Sequence, residues 1–396
     1  MPKVLRIINR FNLGGPTFNA AYLTRYMEPD FETLLIGGSK DETEDSSEFI
    51  VNKLGIEPLI IPEMKREISF KNDKAAYNKI KQLIQEFKPD IVHTHASKAG
   101  AIGRLAASKL KVPVIVHTFH GHVFHSYFGK TKTNVYKRIE RHLAKKSSCI
   151  IAISEKQKQE LSVDHRICHP DKIRVVPLGF DLNRFRENYA EKRIQFRSDY
   201  GLTDDEIAIG IIGRLVPIKN HELFIKAIQA VQEKTTKKIR AFIVGDGEEM
   251  DNLQALATEL NIPFSVGKSK SNNTITFTSW IKEVDVVTAG VDIVALTSKN
   301  EGTPVTLIEA QAANKPIVST NVGGIENIVQ SNKTALLSES GNVEAFAANL
   351  LQLVEDDSVR ATVGQDGWEF VKEKFHYQRL VNDVSSLYLE LLQQQR

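Results

Sequence analysis

Short apolar runs rich in β-branched residues alternate along this chain with longer segments whose apolar positions recur every three or four residues. In the first half the runs fall at 4–8, 33–36, 91–94, 112–117, 150–153 and 173–176, and the helical segments at 17–27, 74–87, 98–110, 135–144 and 155–161. The second half repeats the design, with runs at 207–212, 241–244, 275–278, 291–296 and 316–319 and helical patterns at 221–233, 250–260, 305–313, 345–354 and 360–374. Runs that are apolar on both faces predict strands buried in a parallel sheet with helices on either side. The fold class expected is therefore α/β, as two doubly wound Rossmann-like domains, 1–185 and 186–374, facing each other across a cleft. The glycine-containing loop 178–181 has the turn residues of a hinge. A last helix over 375–396 carries Leu380, Val384, Leu387 and Leu391 on one face and is a candidate for packing back on the first domain. The segment 265–273, rich in Ser, Asn, Gly and Lys, reads as an exposed loop.

Composition narrows the class without choosing a chemistry. The 396 residues are 41% hydrophobic and 26% charged, ordinary for a water-soluble protein of two or three domains. Two cysteines, Cys149 and Cys168, exclude a disulfide framework, and Cys149 lies in an apolar run as a small core residue. The amino terminus is broken by charges and lacks the apolar stretch of a secretion signal, and no run of about 18 residues is apolar enough to span a bilayer. The expected compartment is the cytoplasm. Residues 1–185 hold 30 Lys and Arg against 20 Asp and Glu, whereas residues 186–396 hold 22 against 29. A basic first half favours an anionic partner or membrane surface, or attraction between the domains.

Two segments carry most of the chemistry. Glu301-Gly302-Thr303-Pro304-Val305 follows the apolar run 291–296 and leads through Thr306 to Glu309. Thr303 suits a helix N-cap and Pro304 the first helical position, which leaves the amides of Val305 and Thr306 free to meet a phosphate. Upstream, Gly213-Arg214 and Lys219 add two cations, the arginine with a bidentate fork. Carboxylates beside a diphosphate need other partners, and the hydroxyls of a sugar and a ribose supply them. Glu301 and Glu309 as the acid and base of a glycosidase is the rival assignment, but that chemistry does not require a helix start and two cations at one point.

Weaker signals also lie just after strands. Gly14-Gly15-Pro16 allows close approach of backbone to phosphate, or is a plain turn. Six of eleven histidines, His93, His95, His117, His120, His122 and His125, fall between residues 93 and 125. They suit sugar hydroxyls, and a zinc site is the alternative, although His-Glu-x-x-His and Cys-x-x-Cys spacings are absent. His93 is equally a packing residue. Lys98-Ala99-Gly100-Ala101 permits tight packing of a helix or approach to a ligand. Residues 130–146 hold seven cations, with Val135, Ile139 and Leu143 at helical spacing, so they predict an amphipathic helix with a basic outer face. That face is either simply solvated or in contact with anionic lipid or a phosphorylated acceptor. Gly245-Asp246-Gly247 reads as a turn near the nucleotide, and Trp280 as a flank for a base or as core.

Taken in order, Gly14-Gly15, Thr118-Phe119-His120, Gly213-Arg214 with Lys219, Gly245-Asp246-Gly247, and Glu301 with Glu309 resemble the retaining family 4 glycosyltransferases of GT-B fold, over residues 3 to 390. The resemblance implies an acceptor-binding first domain and a nucleotide-sugar-binding second. It implies that Gly15 approaches the distal phosphate and that Arg214, Lys219 and the amide of Val305 hold the diphosphate. Glu309 would bind the ribose, Glu301 a sugar hydroxyl, and His120 would lie beside the reacting carbon. His122 departs from the commoner neighbours of this histidine. The activity expected is transfer of a sugar from a nucleoside-diphosphate-sugar, with UDP as the carrier expected, to an acceptor hydroxyl in cell-surface polysaccharide or glycolipid assembly. The acceptor expected is a glycan or glycolipid carried on polyprenyl diphosphate. No metal, cofactor or nucleic acid is implied. A nucleotide-sugar epimerase and a non-catalytic nucleotide-sugar-binding protein are the alternatives.

Overall fold

The computed structural model describes residues 1–11, 15–39, 48–65, 67, 69–120 and 130–395, with the side chains of residues 48, 49 and 130–132 left aside. The chain divides into two compact units, Met1–Phe180 with Lys374–Arg396, and Asp181–Glu373.

Among the described residues the first unit holds seven parallel strands: β1 (Lys3–Arg10), β2 (Glu32–Gly38), β3 (Leu59–Ile60), β4 (Ile91–His95), β5 (Val114–Phe119), β6 (Cys149–Ala152) and β7 (Ile173–Val175). Their order is β3-β2-β1-β4-β5-β6-β7. Successive residues face opposite sides, so each strand feeds two cores. Leu5, Val92 and Ile115 meet the helices Phe70–Phe87 and Ser97–Lys109. Val4, Ile91 and Val114 meet the helices Gly15–Tyr26 and Tyr377–Gln393. The last helix therefore belongs to the first unit, and Leu380, Val384, Leu387 and Leu391 are its buried stripe. Its entry is stitched by Phe180 N–H to the Phe375 carbonyl (2.8 Å) and Tyr377 N–H to the Phe180 carbonyl (3.0 Å). Gly179 has a packing reason for its size, since a Cβ there would sit 2.7 Å from Leu380 Cβ.

The second unit repeats the plan with β8 (Ile207–Ile212), β9 (Ile239–Val244), β10 (Phe264–Val266), β11 (Ile275–Ser279), β12 (Ile293–Leu296), β13 (Ile317–Thr320) and β14 (Ala335–Ser338), in the order β10-β11-β9-β8-β12-β13-β14. All seven are parallel. In each sheet the chain winds one way and then returns to the other side of the first strand, between β1 and β4 and between β8 and β12. Such switch points are where open sheets leave room for ligands.

Three sequence expectations change. The segment 265–273 is not all loop: Phe264–Val266 pairs with Ile275–Phe277 at the sheet edge. The single helix expected over 360–374 is two, Asp357–Thr362 and Gly367–Phe375. Between them Gly364 takes φ +102°, and a Cβ there would lie 2.8 Å from the backbone of Lys315 and Pro316. In the basic helix Lys130–Lys146, Val135 and Ile139 do not face the core. They are 53% and 44% exposed, while Glu140, Leu143 and Ala144 are buried. The inward side is polar because Glu140 pairs with the buried Arg104 at 2.7 Å.

Candidate nucleotide-sugar site

The chemistry of the second unit gathers after β8 and β12, on either side of its switch point. After β8 the chain runs through Gly213 and Arg214, which is exposed and makes no side-chain hydrogen bond or ion pair among the described residues, to Lys219 and Asn220. The path is held from beside. Gly213 N–H donates to the Val244 carbonyl, and Leu215 N–H to that of Asp246, both at 2.9 Å. Gly245 has φ +152°, and a Cβ there would lie 1.9 Å from the Gly213 carbonyl oxygen. Only glycine lets the two backbones pass so closely. Gly245 thus shapes the loop that carries Arg214.

After β12 the loop 297–304 brings in the acidic member. Glu301 Oε1 lies 2.5 Å from Lys219 Nζ and accepts from Ser298 Oγ at 2.6 Å. Thr297 Oγ1 donates to the Lys219 carbonyl (3.0 Å), and Lys299 N–H to that of Ile218 (2.8 Å). The structure thus brings together two residues 82 positions apart and ties their loops by main-chain contacts. Gly302 is open: a Cβ there would meet nothing within 4 Å. Beneath it, Gly324 N–H donates to the Glu301 carbonyl (3.0 Å). A Cβ on Gly323 or Gly324 would strike the carbonyl of Glu301 or Gly302 at 1.9 or 2.1 Å. Thr320 Oγ1 donates to the Ser298 carbonyl at 2.7 Å. Sequence reading missed these supports, because their signal is a pair of glycines in an unremarked turn.

The helix opens one residue later than expected. It spans Val305–Ala312, with Pro304 rather than Thr303 as N-cap and no side-chain cap. Pro304 has φ −70°, ψ 101°, extended backbone outside the helix. Val305 is the first helical residue, so its amide and that of Thr306 remain without an intrahelical acceptor. Thr306 Oγ1 donates to the Ile212 carbonyl at 3.2 Å, which seats the helix start against the end of β8, two residues before Arg214. Glu309 is half-buried, its side chain 14% exposed. Burial pushes its carboxyl up to about 7 against the opposing pull of Arg184, whose Nη2 lies 3.1 Å from Oε1. Arg184 was not foreseen: it lies in the turn Asn183–Phe185, 125 positions away, and no spacing signals the pair. Trp280 is 44% exposed and is not core.

In the first unit, the helix Gly15–Tyr26 begins at Gly15 after β1, whereas Gly14, His122 and His125 lie outside the described residues. His93 is a core residue, bonded to Tyr388 Oη (2.5 Å) and Thr118 Oγ1 (2.7 Å). His117 Nδ1 meets Thr94 Oγ1 at 2.8 Å. The small residues after Lys98 serve packing: a Cβ on Gly100 would lie 2.4 Å from the His117 ring, and one on Gly103 would lie 2.6 Å from Thr94. His120, just past β5, has Nε2 2.9 Å from His95 Nδ1, and burial lowers its pKa to about 3. Among the described residues no group of three His, Cys, Asp or Glu side chains is placed to hold a metal ion.

Residues 14–184 match the family described as Glycosyltransferase Family 4, and residues 192–369 match that described as Glycosyl transferases group 1. The chain belongs to the family 4 glycosyltransferases of GT-B fold. This glycosyltransferase is 29% identical over 339 residues to the UDP-Gal:alpha-D-GlcNAc-diphosphoundecaprenol alpha-1,3-galactosyltransferase of Escherichia coli, over 85% of this chain and 84% of that one. It is 26% identical to the capsular polysaccharide biosynthesis glycosyltransferase CapM of Staphylococcus aureus, over 85% of each chain. Its fold superposes on that of Anabaena HepE, crystallised with UDP, with a TM-score of 0.80 at 19% identity, over 98% of this chain and 100% of that one.

Proposed function

We propose that this glycosyltransferase moves a hexose-type unit from a UDP-sugar to an acceptor hydroxyl with retention of anomeric configuration, in assembly of a cell-surface polysaccharide or glycolipid. The observation that carries the proposal is the meeting of Lys219 and Glu301 across the switch point, beside an uncapped helix start seated on β8. The similarity to a galactosyltransferase named for a diphosphoundecaprenol acceptor supports a glycan on polyprenyl diphosphate as acceptor. The UDP-bound structures of similar fold support uridine as the base.

The demanding step is cleavage of the anomeric C–O bond as negative charge grows on the leaving diphosphate. Arg214, Lys219 and the amides at the start of the Val305–Ala312 helix supply fixed positive potential for that charge. Lys219 is paired with Glu301 at 2.5 Å. A bound donor would divide the pair, drawing the ammonium to phosphate and leaving the carboxylate for a sugar hydroxyl. The departing phosphate would accept the acceptor's proton on the face it leaves, which accounts for retention. With protein cations in this role, we propose a metal-independent reaction. The first unit would bind the acceptor, with Gly15 and His120 as its candidate residues.

The test is UDP release from UDP-galactose and UDP-N-acetylglucosamine with a synthetic polyprenyl-diphosphate acceptor. Arg214→Ala is expected to lower kcat by about ten- to a thousandfold, on the order of 1–4 kcal/mol of transition-state stabilisation. EDTA is expected to leave turnover unchanged. Unaltered kcat in Arg214→Ala would dispose of the proposed donor site.

A further inference from the structure

Glu309 stands on the open side of the helix Val305–Ala312. Val305, Thr306 and Glu309 are part-exposed, whereas Leu307, Ile308 and Ala310 are buried. Val305 and Glu309, four residues apart, share one face of the helix, with about 6 Å of its axis between them. A nucleotide laid along that face, with phosphate on the Val305 amide, brings its ribose diol to the Glu309 carboxylate.

The carboxylate is held by one oxygen only. Arg184 Nη2 donates to Oε1 at 3.1 Å, and among the described residues this is the one side-chain hydrogen bond of either group. Oε2 accepts from no described residue and is not one of the sealed, unpartnered atoms, so it is open to a ligand. Arginine and carboxylate paired for their own sake favour a two-pronged contact that fills both oxygens.

Arg184 is itself fixed. Its guanidinium lies over the ring of Phe185, a core residue, 4.8 Å from the centroid. Lys192 Nζ donates to the Arg184 carbonyl at 2.6 Å and pairs with Asp285 at 2.8 Å. The turn Asn183–Phe185 is thereby tied to the helices Tyr189–Asp199 and Val284–Gly290. Every one of these groups belongs to the second unit, as does the helix start. Asp285, on the helix Val284–Gly290, is the other charge acting on Glu309, and like burial it opposes ionisation of the carboxyl. Arg184 is the group that favours it.

We propose that Arg184 is a positioning residue for the donor: it holds Glu309 by one oxygen, charged and aimed, so that the other oxygen accepts from the ribose diol. The proposal rests on the reading of Glu309 as the partner of the ribose.

The experiment is calorimetric titration of UDP-glucose and its 2′,3′-dideoxyribose counterpart into wild-type protein, Glu309→Gln, Arg184→Met and Arg184→Lys. Wild-type protein is expected to prefer UDP-glucose by about tenfold or more, the worth of hydrogen bonds to a charged acceptor. Arg184→Met is expected to lose most of that preference at pH 7 while binding the dideoxy counterpart as wild type does, and Arg184→Lys to keep most of it. The preference in Arg184→Met is expected to return at higher pH, because the carboxyl without its cation ionises later. Arg184→Gln makes the same comparison should Arg184→Met not fold. Equal weakening of both ligands in the Arg184 variants, or tighter binding of UDP-glucose, overturns the positioning role. So does a wild-type preference in Arg184→Met when Glu309→Gln has lost it. A wild-type preference in Glu309→Gln instead removes the reading of Glu309 on which the proposal stands.

Discussion

At the scale of single residues, the site is built from groups whose ordinary properties are altered by burial. Glu309 is one case, its carboxyl raised to about 7 by burial. A ribose hydroxyl donates to the ionised form, so affinity for UDP-glucose is expected to rise about tenfold from pH 6 to pH 8. UDP-glucose is the suitable probe because its diphosphate has no ionisation near neutrality. Glu309→Gln is expected to flatten that dependence in a calorimetric titration. For stability the sign is opposite: a raised folded pKa stabilises below the ordinary value of 4.5, and that contribution is lost as pH rises through about 7. Gly245→Ala tests the loop rather than the charge. With φ +152° and a carbonyl 1.9 Å from the new Cβ, it is expected to cost about 2–4 kcal/mol in urea unfolding. The sequence carried Arg214, Lys219, Glu301 and Glu309 openly, because charges in strand-end loops have few bland uses. It hid Arg184 and Gly323, whose roles exist only through contacts with distant residues.

At the scale of elements, most strands of four or more residues were legible because both faces are apolar, whereas β14, four residues long, and β3 and β10, two and three residues long, were not. The helix Tyr189–Asp199 escaped for a different reason. Its inward side uses arginine: Arg193 and Arg197 pair with Asp292, at 2.7 and 3.3 Å. The same cause turned Val135 and Ile139 outward in Lys130–Lys146, where Glu140 and Arg104 occupy the interior beside Leu143. Periodicity did find the stripe of the last helix. Leu387, 6% exposed in the core of the first unit, gives the corresponding test. Leu387→Ala is expected to destabilise by about 2–5 kcal/mol, with early loss of hydrogen-exchange protection in β1 and β4 and little change in β8 or β12.

At the scale of the whole molecule, charge is unevenly placed, with a net of +10 in residues 1–185 and −7 in residues 186–396. On the basic helix, Val135 and Ile139 stand exposed beside Arg138 and Lys145. No helix among the described residues is long and apolar enough to cross a membrane. Exposed apolar groups amid cations are what an interfacial helix uses on anionic lipid, one of the uses expected for this face from its sequence. In flotation with vesicles containing phosphatidylglycerol, wild-type protein is expected to bind at low salt and release as salt rises. Val135→Asp/Ile139→Asp is expected to weaken binding at least tenfold; equal binding by that variant would leave the helix face merely solvated.

The path of the last helix also bears on synthesis. Residues 374–396 complete the hydrophobic core begun by residues 1–180, yet the ribosome makes them after the whole of 181–373. The inserted half is continuous in sequence and can fold once its own residues have emerged. The earlier-made half must wait with Val4, Ile91 and Val114 only partly covered until residues 374–396 emerge, and during that interval it is the natural client for a chaperone.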